Sequence, residues 1–137
     1  MKIGTHKAIK IVLGLLSIVI FLHIFIMIKI IPYAIAWGGR LQNDEQMYIF
    51  ETGSIIINLF LISILLMKGR YIPLQFKDKA LNILLWIFFI LFILNTLGNL
   101  FAQTNFEKLF AILTLTLASL IWVILRSGNS KEYYESN

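Results

Sequence analysis

The chain has 137 residues, of which 59% are hydrophobic and only 14% are charged, and it contains no cysteine. Soluble domains are close to half apolar and a quarter charged, so this composition excludes an ordinary soluble domain and a disordered chain. The lack of cysteine excludes disulfides, thiol chemistry and Cys-ligated metal clusters. The composition therefore predicts a single transmembrane domain over residues 1–137.

Four apolar stretches are long enough to cross a bilayer, which takes about 20 apolar residues per helix. In chain order they cover residues 9–31, 47–67, 80–102 and 106–125. The turn between the last two stretches is so short that they must be antiparallel neighbours. We therefore predict an all-α fold, namely an integral membrane antiparallel four-helix bundle.

The first stretch follows a basic start, as a signal peptide would, and Ala34-Ile35-Ala36 resembles a cleavage site. Its apolar region is about twice the usual length of such a signal. We therefore expect this stretch to be retained as a membrane helix.

The segment of residues 32–46 begins apolar and ends polar. Pro32 is expected to end or kink the first helix, so that residues 33–37 lie along the membrane interface. Gly38 and Gly39 then permit a sharp reversal of the chain. This pattern predicts an interfacial segment between the first two spans.

The basic residues are distributed unevenly between the two sides of this bundle. Basic residues are retained on the cytoplasmic face, so both termini and the tail of residues 126–137 are expected there, in the inner membrane of a bacterium. The net charge of +5 then reflects topology and attraction to anionic lipid, and nucleic acid is not an expected partner. The opposite side keeps Lys29, Arg40 and Lys108, whereas the side of the termini holds Lys2, Lys7, Lys10, Lys68, Arg70, Lys77, Lys79, Arg126 and Lys131.

Polar side chains at membrane depth are costly and usually face protein or water, so they are candidates for a functional site. Glu51 lies about one turn into the second span. Asn58, seven residues later, returns to within about 20° of the same helix face, and Ser54 lies close to that stripe. His23 of the first span lies at a similar depth to Asn58, about 12 Å below the outer end of its helix.

The third span presents Asn95, Asn99 and Gln103 at successive i,i+4 positions, also in its outer half. Three helices thus carry polar side chains at one depth, while the inner halves are nearly pure hydrocarbon. We predict an outward-opening polar pocket covered by residues 37–40, with these ligand-binding candidates: His23, Trp37, Arg40, Glu51, Ser54, Asn58, Asn95 and Asn99.

Structural interpretations of the same residues stay open. Asn58, Asn95 and Asn99 could serve as interhelical hydrogen-bonding groups. Glu51 could be an interfacial residue whose carboxylate reaches the headgroups, and His23 a hydrogen-bonded packing residue.

The remaining charged residues near this end have expected roles of their own. Arg40 is a plausible ion-pair partner for Glu51, because a buried carboxylate needs a partner or a proton. Lys29 is expected to reach the outer headgroups, and Glu107 to cap the fourth helix by favourable interaction with its dipole.

Motifs for catalysis are absent: the sequence has no P-loop, dinucleotide fingerprint, zinc-protease motif or nucleophile elbow. We therefore predict no catalytic residue, no metal and no cofactor.

The expected function is binding of a small amphiphile or lipid headgroup in the outward-facing polar pocket. The alternatives are an oligomeric proton- or ion-coupled transporter or channel, an immunity or accessory subunit of another membrane protein, and a lipid-modifying enzyme using Glu51. A homo-oligomer or a membrane-protein partner is compatible with these readings.

The order of features resembles the four-helix family of sterol isomerases and sigma-2-type receptors. Phe50-Glu51 opens the second helix on the non-cytoplasmic side, and this apolar helix ends at Lys68-Gly69. The resemblance implies the helix count, the orientation and one acidic candidate, Glu51. The chain departs from the family in its first helix, which offers His23 and Lys29 where the family has an acidic partner, and in its shorter first outer loop. It also resembles small four-span bacterial membrane proteins.

Overall fold

A computed structural model describes residues 4–73, 76–102 and 104–135, with the backbone alone for residues 38 and 128–135. Throughout this part of the chain the regular secondary structure is helical. This confirms the prediction of an all-helical fold with four long helices. They are α1 (Thr5–Met27), α2 (Asp44–Lys68), α3 (Asp78–Leu100) and α4 (Asn105–Glu135), with two 3₁₀ turns at Tyr33–Ile35 and Trp37–Gly39.

Each of the four helices is long and apolar enough to cross a membrane, which in α4 applies to the portion Asn105–Ser127. Large apolar side chains are exposed along their outer faces, as at Phe21, Ile56, Leu94 and Ile112. Contiguous exposed apolar surface on this scale is typical of contact with lipid. The four helices therefore suggest a multi-pass membrane protein.

Helix α1 ends at Met27, earlier than the predicted Ile31, because the chain turns at Lys29. Lys29 adopts a left-handed backbone (φ 61°), and the Ile30 N–H donates to the Phe25 carbonyl over 2.9 Å. This is a Schellman ending, here with a lysine in the position that usually favours glycine. Arg70 (φ 59°) follows the end of α2 in the same way.

The other helix boundaries also have local causes. The Asn43 side chain accepts from the Gln46 N–H over 2.9 Å and caps the start of α2. Thr104 precedes α4, and its hydroxyl both accepts from the Glu107 N–H and donates to the Glu107 carboxylate. Glu107 lies in the first turn of α4 as expected, but the cap is the Thr104 hydroxyl, and the interaction of Glu107 with the helix dipole stays a prediction. Gln103 lies outside the described residues.

The C-terminal helix is longer than the apolar pattern predicts. We placed the end of the fourth span at residue 125 and a tail at 126–137, whereas α4 continues without interruption to Glu135. The apolar pattern marks where a helix stops being apolar, which need not be where its backbone hydrogen bonds stop.

The main core lies at the end of the bundle where the first residues of α1 and α3 are close to the last residues of α2 and α4. Helices that follow one another in the chain are therefore antiparallel. Ile9, Leu65, Leu85 and Ile121 are all completely buried there. We call this region the packed end. Asp78 reinforces it, because its carboxylate pairs with Arg70 at 2.7 Å and with Lys68 at 3.8 Å.

The opposite end, where α1 meets α2 and α3 meets α4, has a smaller core. Ile26, Ala36, Leu41 and Met47 form a buried cluster that includes residues of the α1–α2 connection. The connection is therefore folded onto the ends of the helices rather than extended away from them. We call this region the cavity end, since the polar residues singled out from the sequence lie there.

Candidate functional site

Glu51 is completely buried and is held by side chains from two other elements. Its Oε2 shares a hydrogen bond of 2.5 Å with His23 Nδ1 of α1, and its Oε1 accepts from Trp37 Nε1 at 2.7 Å. Both carboxylate oxygens thus have a partner, which is what makes a buried carboxylate tolerable. The interpretation of Glu51 as a residue that reaches the headgroups is wrong for this structure.

Trp37 has a backbone conformation that residues other than glycine rarely adopt, and this conformation directs its indole toward Glu51. It adopts a left-handed conformation (φ 56°), and Gly39 two residues later does the same (φ 67°). A left-handed backbone at a bulky residue costs roughly 1–3 kcal/mol and persists only where surrounding contacts hold it. Here the indole N–H bonds to Glu51, and the ring packs edge-on against Phe50 at 5.1 Å.

The expected ion pair between Arg40 and Glu51 does not form. Among the residues that the structure describes, the ion-pair partner of Glu51 is His23. The cause is the reversal at Trp37–Gly39, which places the indole against the carboxylate and leaves Arg40 on the exposed side of the turn. Trp37 and Arg40 are only three positions apart, so their separation in sequence does not show which of the two side chains reaches Glu51.

A cavity of about 440 Å³ lies beside Glu51 and is lined by all four helices. We call it the Glu51 cavity. Seven of the eight predicted binding residues line it: His23, Trp37, Glu51, Ser54, Asn58, Asn95 and Asn99. Its remaining surface is mostly apolar and partly aromatic, with Phe88, Phe92, Phe106 and Phe110 among the lining residues.

Arg40, the eighth predicted residue, lines a second cavity of about 760 Å³, which we call the Arg40 cavity. The two cavities share a wall, because each is lined by Trp37, Asn95, Asn99 and Glu107. The structure therefore brings all eight predicted residues to one end of the bundle, but it divides them between two adjoining spaces.

The asparagine side chains do not link the helices. Asn58 donates to the Ser54 carbonyl of its own helix at 2.8 Å, and within the described chain Asn95 and Asn99 make no side-chain hydrogen bond. The interhelical bond between α3 and α4 is made instead by the hydroxyls of Thr96 and Thr114, 2.8 Å apart. The amide groups of Asn95 and Asn99 are thus available to a molecule in either cavity.

Glu107 belongs to the site in a way that sequence reasoning missed. It is buried, with 6% relative exposure, and it lines both cavities besides accepting from the Thr104 hydroxyl. Thr104, its capping partner, also donates to the Ile35 carbonyl at 3.3 Å, which joins the α3–α4 turn to the α1–α2 connection.

Lys29 pairs with a side chain of the protein, whereas the sequence predicted that it would extend to the outer headgroups. Its ammonium pairs with the Asp44 carboxylate at the start of α2. The hydrogen bond to Asp44 raises the pKa of Lys29 above its usual value of 10.5. Both side chains are about half exposed, so this pair contributes little to stability.

The chemistry available at the site is that of polar recognition and of one shared proton. The 2.5 Å bond between Glu51 and His23 requires one proton between the two groups, carried either by His23 Nδ1 or by the carboxyl group. Within the described residues, no group of three or more His, Asp or Glu is arranged to hold a metal ion.

Comparisons with known proteins return no matching family model, no matching curated protein and no matching solved structure. The resemblance to the sterol isomerase and sigma-2 receptor family stays a prediction.

Proposed function

We propose that the chain is a multi-pass membrane protein that binds a small amphiphile or lipid headgroup in the Glu51 cavity. The observation that carries this proposal is the convergence of seven polar or aromatic candidates on one space beside a fully buried carboxylate. A cavity with a mostly apolar lining and a few placed polar groups is the usual form of a small-molecule site.

The distribution of polarity within the cavity supports an amphiphile over a purely polar ligand. His23, Trp37 and Glu51 form a hydrogen-bonded group on one side. Phe88 and Leu117, which lie closer to the packed end along α3 and α4, line the cavity with hydrocarbon. A headgroup would meet the polar side and an alkyl chain the apolar one.

The proposal includes an orientation in the membrane. The excess of basic residues at the packed end favours placing that end, with both termini, on the cytoplasmic side of a bacterial inner membrane. The cavity end would then lie in the outer leaflet, where Arg40 and the Lys29–Asp44 pair are at headgroup level.

Native mass spectrometry of gently extracted protein tests the proposal. We expect the wild type to retain a lipid or amphiphile and Glu51→Gln to lose most of it. Glu45→Gln is the matched control, because it makes the same change at an exposed position on the same helix. A bare wild-type protein, or equal retention by Glu51→Gln and Glu45→Gln, would overturn the proposal.

A second candidate function, proton-coupled transport by an oligomer, is favoured by the hydrogen bond that Glu51 shares with His23. Proton carriers in membranes use such acid and imidazole groups facing the protein interior. This candidate predicts proton or solute flux in proteoliposomes that Glu51→Gln abolishes and Glu45→Gln preserves. Flux-free liposomes containing folded wild-type protein would exclude it.

A further inference from the structure

The two cavities of the cavity end carry different charges. Among the described residues, the Glu51 cavity is lined by two carboxylates, Glu51 and Glu107, and by no lysine or arginine. The Arg40 cavity adds a guanidinium to the shared Glu107. A ligand that spans the shared wall therefore meets positive charge on one side and negative charge on the other.

Within the described part of the chain, Arg40 forms no ion pair. The ion pairs of the described chain are His23–Glu51, Lys29–Asp44 and those of Asp78 with Lys68 and Arg70, none of which involves Arg40. A guanidinium presents a planar fork of donors that matches the oxygens of a phosphate. Arg40 in a cavity is thus suited to a phosphate group.

The shared wall is suited to an ammonium group. Among the residues that the structure describes, the Asn95 and Asn99 amide oxygens accept no hydrogen bond, and both side chains line the shared wall. Glu107 accepts from Thr104 through Oε2. The Glu107 carboxylate lines both cavities, so it gives the shared wall a negative charge that attracts a cation. Primary ammonium has three N–H donors, which such a group of oxygens satisfies.

We propose that the shared wall and Arg40 together bind the zwitterionic headgroup of an aminophospholipid. Its phosphate lies on Arg40, and its primary ammonium lies against Glu107, Asn95 and Asn99. This inference rests on the proposed function, because it names the amphiphile that the cavity end binds. The apolar side chains of Phe50 and Leu94 line the Arg40 cavity beside the guanidinium and face the glycerol and first methylenes of the lipid.

The experiment reconstitutes the full chain in nanodiscs made from equal amounts of phosphatidylethanolamine and phosphatidylglycerol. The protein is then extracted gently, and the retained lipid is measured by native mass spectrometry. We expect wild type to retain phosphatidylethanolamine over phosphatidylglycerol by about tenfold, since one charged hydrogen bond is worth roughly that factor. Equal retention, or enrichment of phosphatidylglycerol, would overturn the inference.

Two variants test the phosphate contact and the ammonium contact separately. Arg40→Gln removes the phosphate contact that both lipids share, so total retention falls while the preference persists. Glu107→Gln weakens the ammonium contact alone, so the preference falls toward one. Lys108→Gln is the control, because it removes an exposed positive charge next to Glu107 from a side chain that lines neither cavity. Unchanged retention in Arg40→Gln, or an unchanged preference in Glu107→Gln, contradicts the assignment.

Because Glu107 is bonded to the Thr104 hydroxyl that caps α4, its substitution also affects the helix cap. Asn99→Leu therefore provides a second test of the ammonium position. It removes one acceptor from the shared wall without touching the cap, and it is expected to lower the preference for phosphatidylethanolamine. Failure of the inference is distinguishable from failure of the proposed function. If the protein retains lipid in a Glu51-dependent way without this preference, the inference alone fails, whereas absence of retained lipid in wild type removes both.

Discussion

The two ends of this bundle are held together by different interactions. At the packed end, completely buried aliphatic side chains such as Leu65, Leu85 and Ile121 fill the space between four helices. At the cavity end, two cavities lie among the helices, and the hydrogen bonds that the Glu51 carboxylate makes with His23 and Trp37 connect the elements. A rigid packed end lets the other end keep polar groups and open space, as functional sites generally require.

The largest expected effect is that of Glu51→Leu, which removes the hydrogen-bond partner of both His23 and Trp37. Losing the partner of a buried or partly buried polar group costs about 1–3 kcal/mol for each bond, and two bonds are lost here. We expect a loss of that size in the free energy of unfolding, measured by titration with SDS in mixed micelles. Glu45→Leu makes the same change at an exposed position and is expected to cost far less. Equal losses in the two variants would mean that the hydrogen bonds of Glu51 contribute nothing to the cavity end.

The next largest effect is that of Leu65→Ala at the packed end. Leu65 is completely buried, and truncating such a leucine costs about 2–5 kcal/mol, depending on how far the neighbours close the space. Leu59→Ala on the exposed face of the same helix is the control and is expected to change the free energy of unfolding little. Retention of lipid is expected to survive Leu65→Ala wherever the protein stays folded, and its loss would show that the two ends are coupled.

A smaller effect is expected from Trp37→Phe, which keeps an aromatic ring and removes the N–H that Glu51 accepts. An unsatisfied buried acceptor costs about 1–3 kcal/mol. The loss is measured by the same SDS titration. Trp122→Phe is the matched control, because that ring packs against Trp86 and Phe89. A change no larger than that of Trp122→Phe would indicate that the indole N–H does not hold the turn against α2.

Much of the fold follows from the sequence because its signals are local. Four apolar runs of sufficient length, an asparagine before α2 and an acid in the first turn of α4 each act within a few residues. The end of α1 was missed because lysine rarely occupies a left-handed position, so Lys29 has no recognisable signature there.

The sequence predicts which residues belong to the candidate site, but it does not predict which of them are hydrogen-bonded to one another. The rise per residue places His23, Glu51, Asn58 and Asn95 in the same half of the bilayer, since depth along a helix depends only on that rise. It does not give the rotation of one helix about another. Glu107 was assigned to a cap alone for the same reason, as nothing local shows that its carboxylate also lines a cavity.

The sequence by itself determined that this is a bundle of four membrane-length helices with its polarity gathered at one end. Those properties depend on length, composition and period, which are read along a single chain. Only the tertiary structure decided that Glu51 is paired with His23 and Trp37, and that Arg40 lines a separate cavity. The physical reason is the left-handed turn at Trp37, which is strained on its own and exists only because contacts distant in sequence hold it.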